Sequence, residues 1–276
     1  MASFVHARGV RFHVVDLGGD RPDGTGGGAG GPGSPRPEGE PLVMLHGLFT
    51  GSAASWFFTV APALARSRRV RLPDLRGHGL SERTPSGYGT ATLAADVAAL
   101  TADLPPFALA GHSYGAAIAV RFALAHPGRV TRLALIEAPF GALPTTPSAG
   151  AAPGATPAAA SVPAPARGRE RERHGGARAL LERTSVLDDL AAEPPVTAAE
   201  LKALEGVPVL AVAGTDSSFR PGCDLVGRAL PASRRHVLPG GHDLHLTARH
   251  LLGPLLEDFL AEAVGTAEEE VGTAHA

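Results

Sequence analysis

The 276-residue sequence has little cysteine and no long apolar run, and each lack excludes a class of protein. Its one cysteine, Cys223, excludes a disulfide framework and any zinc or iron–sulfur site built from several cysteines. No apolar stretch reaches the roughly 18 residues that a membrane-spanning helix needs. The sequence therefore predicts a chain with no membrane span, whose core depends on packing alone.

The charge balance lacks any basic excess. Lysine plus arginine number 25 and aspartate plus glutamate number 27, which gives a net charge of −2. A nucleic-acid-binding protein normally carries a clear surplus of positive charge, so we expect no nucleic-acid partner. The first residues also lack the apolar segment of a signal peptide, and we therefore expect a cytoplasmic protein.

Glycine and proline are abundant but unevenly distributed. Residues 18–41 hold ten glycines and five prolines, and residues 139–165 hold three glycines and seven prolines. Such segments bury too little apolar surface to offset the entropy of ordering them, so we predict flexible loops there. We expect one domain over residues 1–276, with a flexible acidic tail at 261–276.

Between these tracts, short apolar strands alternate with helical patterns. The run Pro41–His46 is apolar throughout, as expected of a strand buried on both faces. Residues Trp56–Leu64 follow helical spacing, and a helical stripe from Leu93 to Leu104 follows Thr90 as a possible N-cap. This alternation predicts an α/β fold with a mostly parallel central sheet and helices on both faces.

A G-x-S-x-G motif marks the first candidate catalytic residue. Gly111-His112-Ser113-Tyr114-Gly115 stands between the predicted strand Phe107–Ala110 and the predicted helix Ala116–Ala125. In such an elbow the chain turns so sharply that the residues two before and two after the serine must be small. The serine is then held with its hydroxyl exposed at a helix N-terminus. We predict Ser113 as a nucleophile.

A serine nucleophile needs a base, and the base needs a carboxylate to orient it. Asp216 follows the predicted strand Val207–Ala213, and His242 follows a later short strand. The carboxyl ends of parallel strands meet at one rim of a sheet, so Ser113, Asp216 and His242 are predicted to meet as nucleophile, acid and base. Glu137 also follows a strand and is the alternative acid.

The remaining histidines receive no catalytic role. His245 and His250 follow His242 in a spacing that could indicate a metal site, but no clustered carboxylates accompany them. We therefore expect both to be surface residues at a helix entry, with no metal ligand in the chain. His112 is expected to serve packing or solvation.

An oxyanion hole needs two backbone N–H groups aimed at the developing negative charge. Tyr114, at the start of the helix that follows the nucleophile, should supply one. Leu48 should supply the other, because Gly47 allows the backbone after the strand ending at His46 to turn toward the site.

These segments together resemble the α/β-hydrolase superfamily, which includes esterases, cofactor-free haloperoxidases and C–C bond hydrolases. The motifs that carry the resemblance are His46–Phe49, Asp74–Ser81, Gly111–Gly115, Gly214–Asp216 and Gly241–His242.

The resemblance implies Ser113 as nucleophile, His242 as base, Asp216 as acid, and the Leu48 and Tyr114 N–H groups as oxyanion donors. It also implies that Asp74 and Arg76 belong to a structural loop and take no catalytic part. The family's lid corresponds to residues 137–206, and we expect a reduced, partly disordered lid there.

The expected function is a serine hydrolase that cleaves an ester or related acyl bond of a small molecule through an acyl-enzyme, without a cofactor. An acyltransferase or a C–C bond hydrolase could use the same triad. A non-catalytic ligand-binding protein of the same fold is the alternative outside enzymes.

Overall fold

The computed structural model describes residues 1–18, 39–49, 51–140 and 169–262, with side chains in the last range from residue 176 onward. The greater part of the predicted loop 18–41, of the low-complexity tract 139–165 and of the tail 261–276 lies outside the described residues.

Eight strands form one sheet in the order β1-β2-β4-β3-β5-β6-β7-β8. Strand β2 runs antiparallel to its neighbours β1 and β4. Every other neighbouring pair in this order, from β4 across to β8, is parallel. The mostly parallel sheet predicted from the sequence is confirmed. The strands are β1 Ala2–Ala7, β2 Val10–Leu17, β3 Gly39–Leu45, β4 Arg68–Pro73, β5 Phe107–His112, β6 Val130–Ile136, β7 Val209–Gly214 and β8 Arg234–Leu238.

The helices pack on both faces of this sheet, as predicted. One apolar cluster joins one sheet face to the third, fourth, seventh and eighth helices, and a second joins the other face to the first, second and tenth. None of the helices in the described part of the chain has the length and apolar character needed to span a bilayer. The helices are α1 Ala53–Phe57, α2 Ala61–Leu64, α3 Thr90–Leu100, α4 Tyr114–Ala125, α5 Arg169–Arg183, α6 Val186–Ala192, α7 Ala198–Lys202, α8 Arg220–Ala229, α9 Leu244–Thr247 and α10 Arg249–Ala261.

Two local expectations differ from the structure. The predicted helix Trp56–Leu64 is two short helices, α1 and α2, and α2 has a proline in its first turn. Proline cannot donate a backbone hydrogen bond, so it favours a fresh helix start over continuation of α1. The N-cap of α3 is Gly89, not Thr90. Thr90 instead donates its N–H and its hydroxyl to the carboxylate of Glu193, which lies in the segment after α6.

The parallel strands deliver their carboxyl ends to one rim of the sheet. Strand β3 ends at the loop that begins with His46, β5 at Ser113, β6 at Glu137, and β7 and β8 precede Asp216 and His242. All the candidate residues therefore lie at the rim where α/β sheets commonly bind ligands.

Candidate active site

Ser113 occupies a strained turn between β5 and α4. Its backbone has φ 55° and ψ −125°, a conformation that residues other than glycine rarely adopt. A side chain at Gly111 would place its Cβ 2.3 Å from the carbonyl oxygen of Gly115, and one at Gly115 would lie 2.7 Å from the carbonyl oxygen of His46. The two glycines are thus required by close backbone approach, and the elbow geometry matches the sequence expectation.

Glu137 is the carboxylate that contacts His242. Glu137 Oε2 lies 3.3 Å from His242 Nδ1, and the glutamate side chain is fully buried while that of His242 is about one third exposed (37%). Glu137 also accepts hydrogen bonds from the Gly214 N–H and from the Ser217 hydroxyl. Three donors therefore fix this carboxylate beside the imidazole.

Asp216, predicted as the acid, lies elsewhere. Its side chain is exposed and makes no hydrogen bond or ion pair with any residue that the structure describes, while its N–H donates to the Gly240 carbonyl at 3.0 Å. The turn after β7 directs Asp216 outward. The geometry therefore favours Glu137, the alternative acid of the sequence analysis, and leaves the role of Asp216 a prediction without structural support.

His242 is held beside the nucleophile elbow through its backbone. Nε2 of His112 lies 2.9 Å from the His242 carbonyl oxygen, and the two imidazole rings are 4.8 Å apart. Phe219 flanks the other side of the His242 ring, with ring centres 4.6 Å apart. No hydrogen bond joins Ser113 Oγ to the His242 ring in the described residues, and catalytic hydrogen bonds of this kind are often formed only when substrate binds.

The loop after β3 lies against Ser113. We call His46–Phe49 the oxyanion loop, after its predicted donor Leu48. A Cβ at Gly47 would lie 3.1 Å from Ser113 Cβ and 3.2 Å from His112 Nδ1, so glycine allows the close approach. Within the described part of the chain the Leu48 N–H donates to no acceptor, and Tyr114, as the first residue of α4, has no intrahelical acceptor for its own. Both predicted oxyanion donors are therefore available beside the elbow.

His46 sets the orientation of the peptide that carries the Leu48 N–H. Its Nε2 lies 2.9 Å from the Leu75 nitrogen and accepts that N–H, so Nδ1 carries the ring proton and donates to the Gly47 carbonyl at 2.7 Å. In a trans peptide the carbonyl and the N–H point in opposite directions. By fixing the Gly47 carbonyl, His46 directs the Leu48 N–H away from its own ring.

A second buried histidine holds the far side of the same loop. His78 Nε2 accepts the N–H of Phe49 at 2.9 Å, and His78 Nδ1 donates to the Arg76 carbonyl at 2.8 Å. Phe49 has φ 66°, so this bond stabilises a strained residue. No role was predicted for His78, although its position in the Asp74–Ser81 motif could have indicated one.

Burial keeps several of these imidazoles neutral. It lowers the pKa of His78 to about 3, lowers that of His46, and brings the pKa of His112 well below its ordinary value. For His245, also buried, the pKa falls to about 4. Desolvation is the largest cause in each case, because the charged ring loses its hydration.

A cavity of about 810 Å³ lies beside the oxyanion loop. Phe49, Phe57 and Phe58 contribute apolar walls, and His78 and Arg83 contribute polar groups. Above it, Phe49 packs against an apolar cluster of Tyr88, Leu180 and Val186, the last two from α5 and α6. The segment predicted as a lid therefore contacts the oxyanion loop directly.

The expectation that His245 is a surface residue is wrong. His245 is only 4% exposed, because α9 turns it under the loop that carries His242, whereas His250 is exposed as expected. Trp56 is fully buried beside it, with ring centres 5.2 Å apart.

Comparison with known proteins gives the same architecture. Residues 40–153 match the family model described as the alpha/beta hydrolase fold. The chain has the α/β-hydrolase fold. An esterase from Exiguobacterium antarcticum superposes on the α/β-hydrolase-fold chain with a TM-score of 0.68 at 20% identity, covering 95% of this chain and 100% of the esterase.

Curated relatives share a shorter segment with this chain. The 2-hydroxy-6-oxo-2,4-heptadienoate hydrolase of Pseudomonas putida is 40% identical over 106 residues, which is 36% of this chain and 38% of the relative. The N-formylmaleamate deformylase of the same species is 33% identical over 138 residues, 49% of this chain and 44% of the relative. This chain thus spans less than half the length of either relative.

Proposed function

We propose that the protein is a serine hydrolase that cleaves an ester or related acyl bond with Ser113 as nucleophile, His242 as base and Glu137 as acid. The observation that carries this proposal is the contact of 3.3 Å between Glu137 Oε2 and His242 Nδ1, beside a strained serine elbow. A buried carboxylate on Nδ1 places the proton there and leaves Nε2 free to act as base.

In the proposed reaction, His242 Nε2 takes the proton of Ser113 Oγ as the oxygen attacks the acyl carbon. The negative charge that develops on the carbonyl oxygen is stabilised by the Leu48 and Tyr114 N–H groups. His242 then gives its proton to the leaving alcohol, and an acyl-enzyme remains. A water molecule, deprotonated by His242, then attacks the acyl carbon. The bond to Ser113 Oγ breaks, His242 returns its proton to that oxygen, and the acid is released.

The fold organisation proposed with this function is a single domain over residues 1–276. Within this domain, residues 137–206 are proposed as the lid. Support comes from α5 and α6, which pack on Phe49 and Tyr88, and from Asp189 and Glu193, which accept hydrogen bonds from the Tyr88 and Thr90 N–H groups.

The first experiment requires no substrate. The protein is incubated with a fluorophosphonate, which phosphonylates activated serines, and the intact mass is measured. One adduct is expected on the wild type and none on Ser113→Ala or His242→Ala. A folded wild type that forms no adduct would contradict the proposed nucleophile.

The identity of the acid is tested by a matched pair of substitutions. Glu137→Gln should lower kcat for a p-nitrophenyl ester by about 10³- to 10⁴-fold, the range found when a triad carboxylate becomes an amide. Asp216→Asn should leave kcat within about twofold of wild type, because surface substitutions that break no contact have small effects. Circular dichroism and thermal unfolding verify that both variants fold. A large loss in Asp216→Asn with an active Glu137→Gln would return the acid role to Asp216.

A C–C bond hydrolase is the second candidate, favoured by the 40% identity to the heptadienoate hydrolase. The two functions share the residues and differ in the bond that is broken. The kcat/KM for a 2-hydroxy-6-oxo-dienoate is compared with that for simple esters. A value well above that for the esters would favour C–C cleavage, and a value well below it would favour ester hydrolysis.

A further inference from the structure

Three potential metal-ligating side chains converge beneath the loop that carries His242. His112 lies at the end of β5, Asp243 directly follows His242, and His245 lies in α9. One ligand atom from each lies within 4.8 Å of the other two. Among the residues that the structure describes, this is the only group of three such side chains that meets this distance.

The cluster is polar and buried on its inner side. His112 and His245 are 5% and 4% exposed, and their ring centres are 4.4 Å apart. Nδ1 of His245 is buried and makes no hydrogen bond with any described residue. A buried ring nitrogen without a partner is destabilising, since it loses its hydration and gains nothing in exchange. A metal ion that accepts the lone pair of this nitrogen would remove that penalty.

We propose that His112, Asp243 and His245 bind a Zn²⁺ ion. Two imidazoles and one carboxylate are a ligand set that zinc favours, with a fourth position left to water. Nitrogen ligands also disfavour Mg²⁺ and Ca²⁺, which prefer all-oxygen sites.

The geometry requires a modest contraction. Zinc bonds of about 2.0–2.1 Å in a tetrahedral arrangement place ligand atoms roughly 3.4 Å apart. The ligand atoms now lie up to 4.8 Å apart, so the largest distance between them must shorten by more than 1 Å. Asp243 is exposed, so rotation of its side chain can supply most of this change.

Metal binding would also affect the neighbouring catalytic loop. His112 Nε2 is 2.9 Å from the His242 carbonyl oxygen, and coordination through Nε2 would replace that hydrogen bond. Zn²⁺ would then release the His242 backbone from the elbow and inhibit turnover. This consequence rests on the proposed function, whereas the binding of zinc does not.

The test measures Zn²⁺ binding to the untagged full-length protein by competition with a chromophoric chelator at neutral pH. We expect one Zn²⁺ per chain with a dissociation constant of about 10 µM or tighter, unaffected by excess Mg²⁺. Asp243→Asn and His245→Gln should each weaken binding at least tenfold. His250→Gln, which changes an exposed histidine of α10 outside the cluster, is the matched control and should bind as the wild type does.

Inhibition provides the second measurement. Zn²⁺ should inhibit ester hydrolysis by the wild type and by His250→Gln. Asp243→Asn, compared with its own activity in the absence of zinc, should need at least about tenfold more Zn²⁺ for the same fractional inhibition. Ser113→Ala should still bind Zn²⁺, so a protein that binds the metal without hydrolysing esters would contradict the proposed function alone. Absence of binding at 100 µM or so, or equal binding by wild type, Asp243→Asn and His245→Gln, would overturn the proposed site.

Discussion

Acidification should destabilise this protein through buried neutral histidines, and His78 allows the effect to be calculated. Burial lowers the pKa of His78 to about 3 from an ordinary value of 6.5. Between these two values the unfolded chain binds a proton that the folded chain does not bind. Linkage then requires the free energy of unfolding to fall as the pH falls, by about 1.4 kcal/mol per pH unit for one such group.

The magnitude is large compared with the stability of a domain. From pH 7.5 to pH 5, His78 alone should lower the free energy of unfolding by about 2 kcal/mol, since the decrease begins only near pH 6.5. Domains of this kind are stable by about 5–15 kcal/mol in total. His46 contributes in the same direction because its pKa is also lowered. Charged groups near His78 modify the value, with Asp74 favouring protonation and Arg83 opposing it.

His78→Gln is the variant that isolates this contribution. The glutamine carbonyl can accept the Phe49 N–H in place of His78 Nε2, and the amide does not titrate in this range. Urea unfolding at pH 7.5 and pH 5 should show a decrease in the free energy of unfolding that is about 2 kcal/mol smaller for His78→Gln than for wild type. An equal decrease in both proteins would refute the reasoning, because it would show that His78 does not remain neutral in the folded state.

Three further outcomes follow from the geometry of the elbow and the oxyanion loop. His78→Asn keeps a donor for the Arg76 carbonyl but loses the acceptor for the Phe49 N–H. Its kcat on an ester should therefore fall at least about tenfold, while the kcat of His78→Gln stays near that of the wild type. Equal kcat values for the two variants would contradict the positioning role. Gly47→Ala brings a methyl group 3.1 Å from Ser113 Cβ. Its kcat should fall by more than any loss of folded protein explains, which steady-state kinetics and calorimetry together can show. Gly111→Ala would place its Cβ 2.3 Å from the Gly115 carbonyl oxygen, so it should destabilise the fold by about 3 kcal/mol or more in urea unfolding, and a stable variant would show that the elbow can relax.

Much of the fold follows from local sequence patterns. The continuous apolar run Pro41–His46 predicted a buried parallel strand, because such strands are covered on both faces. The elbow was predictable because a side chain at Gly111 or Gly115 would clash with the neighbouring backbone, so both positions need glycine. Burial of polar residues was not predictable in the same way. His245 and His250 stand in similar sequence contexts, and only the packing of α9 under the His242 loop separates a buried ring from an exposed one.

The choice between the two acids shows most clearly where the sequence stops being sufficient. Glu137 and Asp216 both follow parallel strands, and both satisfy the order serine, acid, histidine along the chain. What separates them is the turn that each makes after its strand. Glu137 directly follows β6, and its N–H donates to the Val212 carbonyl of the neighbouring strand, which leaves its side chain inside the rim. Asp216 lies two residues past β7 and donates its N–H to Gly240, which turns its side chain to solvent. Neither hydrogen bond follows from a local motif, since each depends on which strand lies alongside. The preference for Glu137 as the proposed acid therefore comes only from the three-dimensional arrangement.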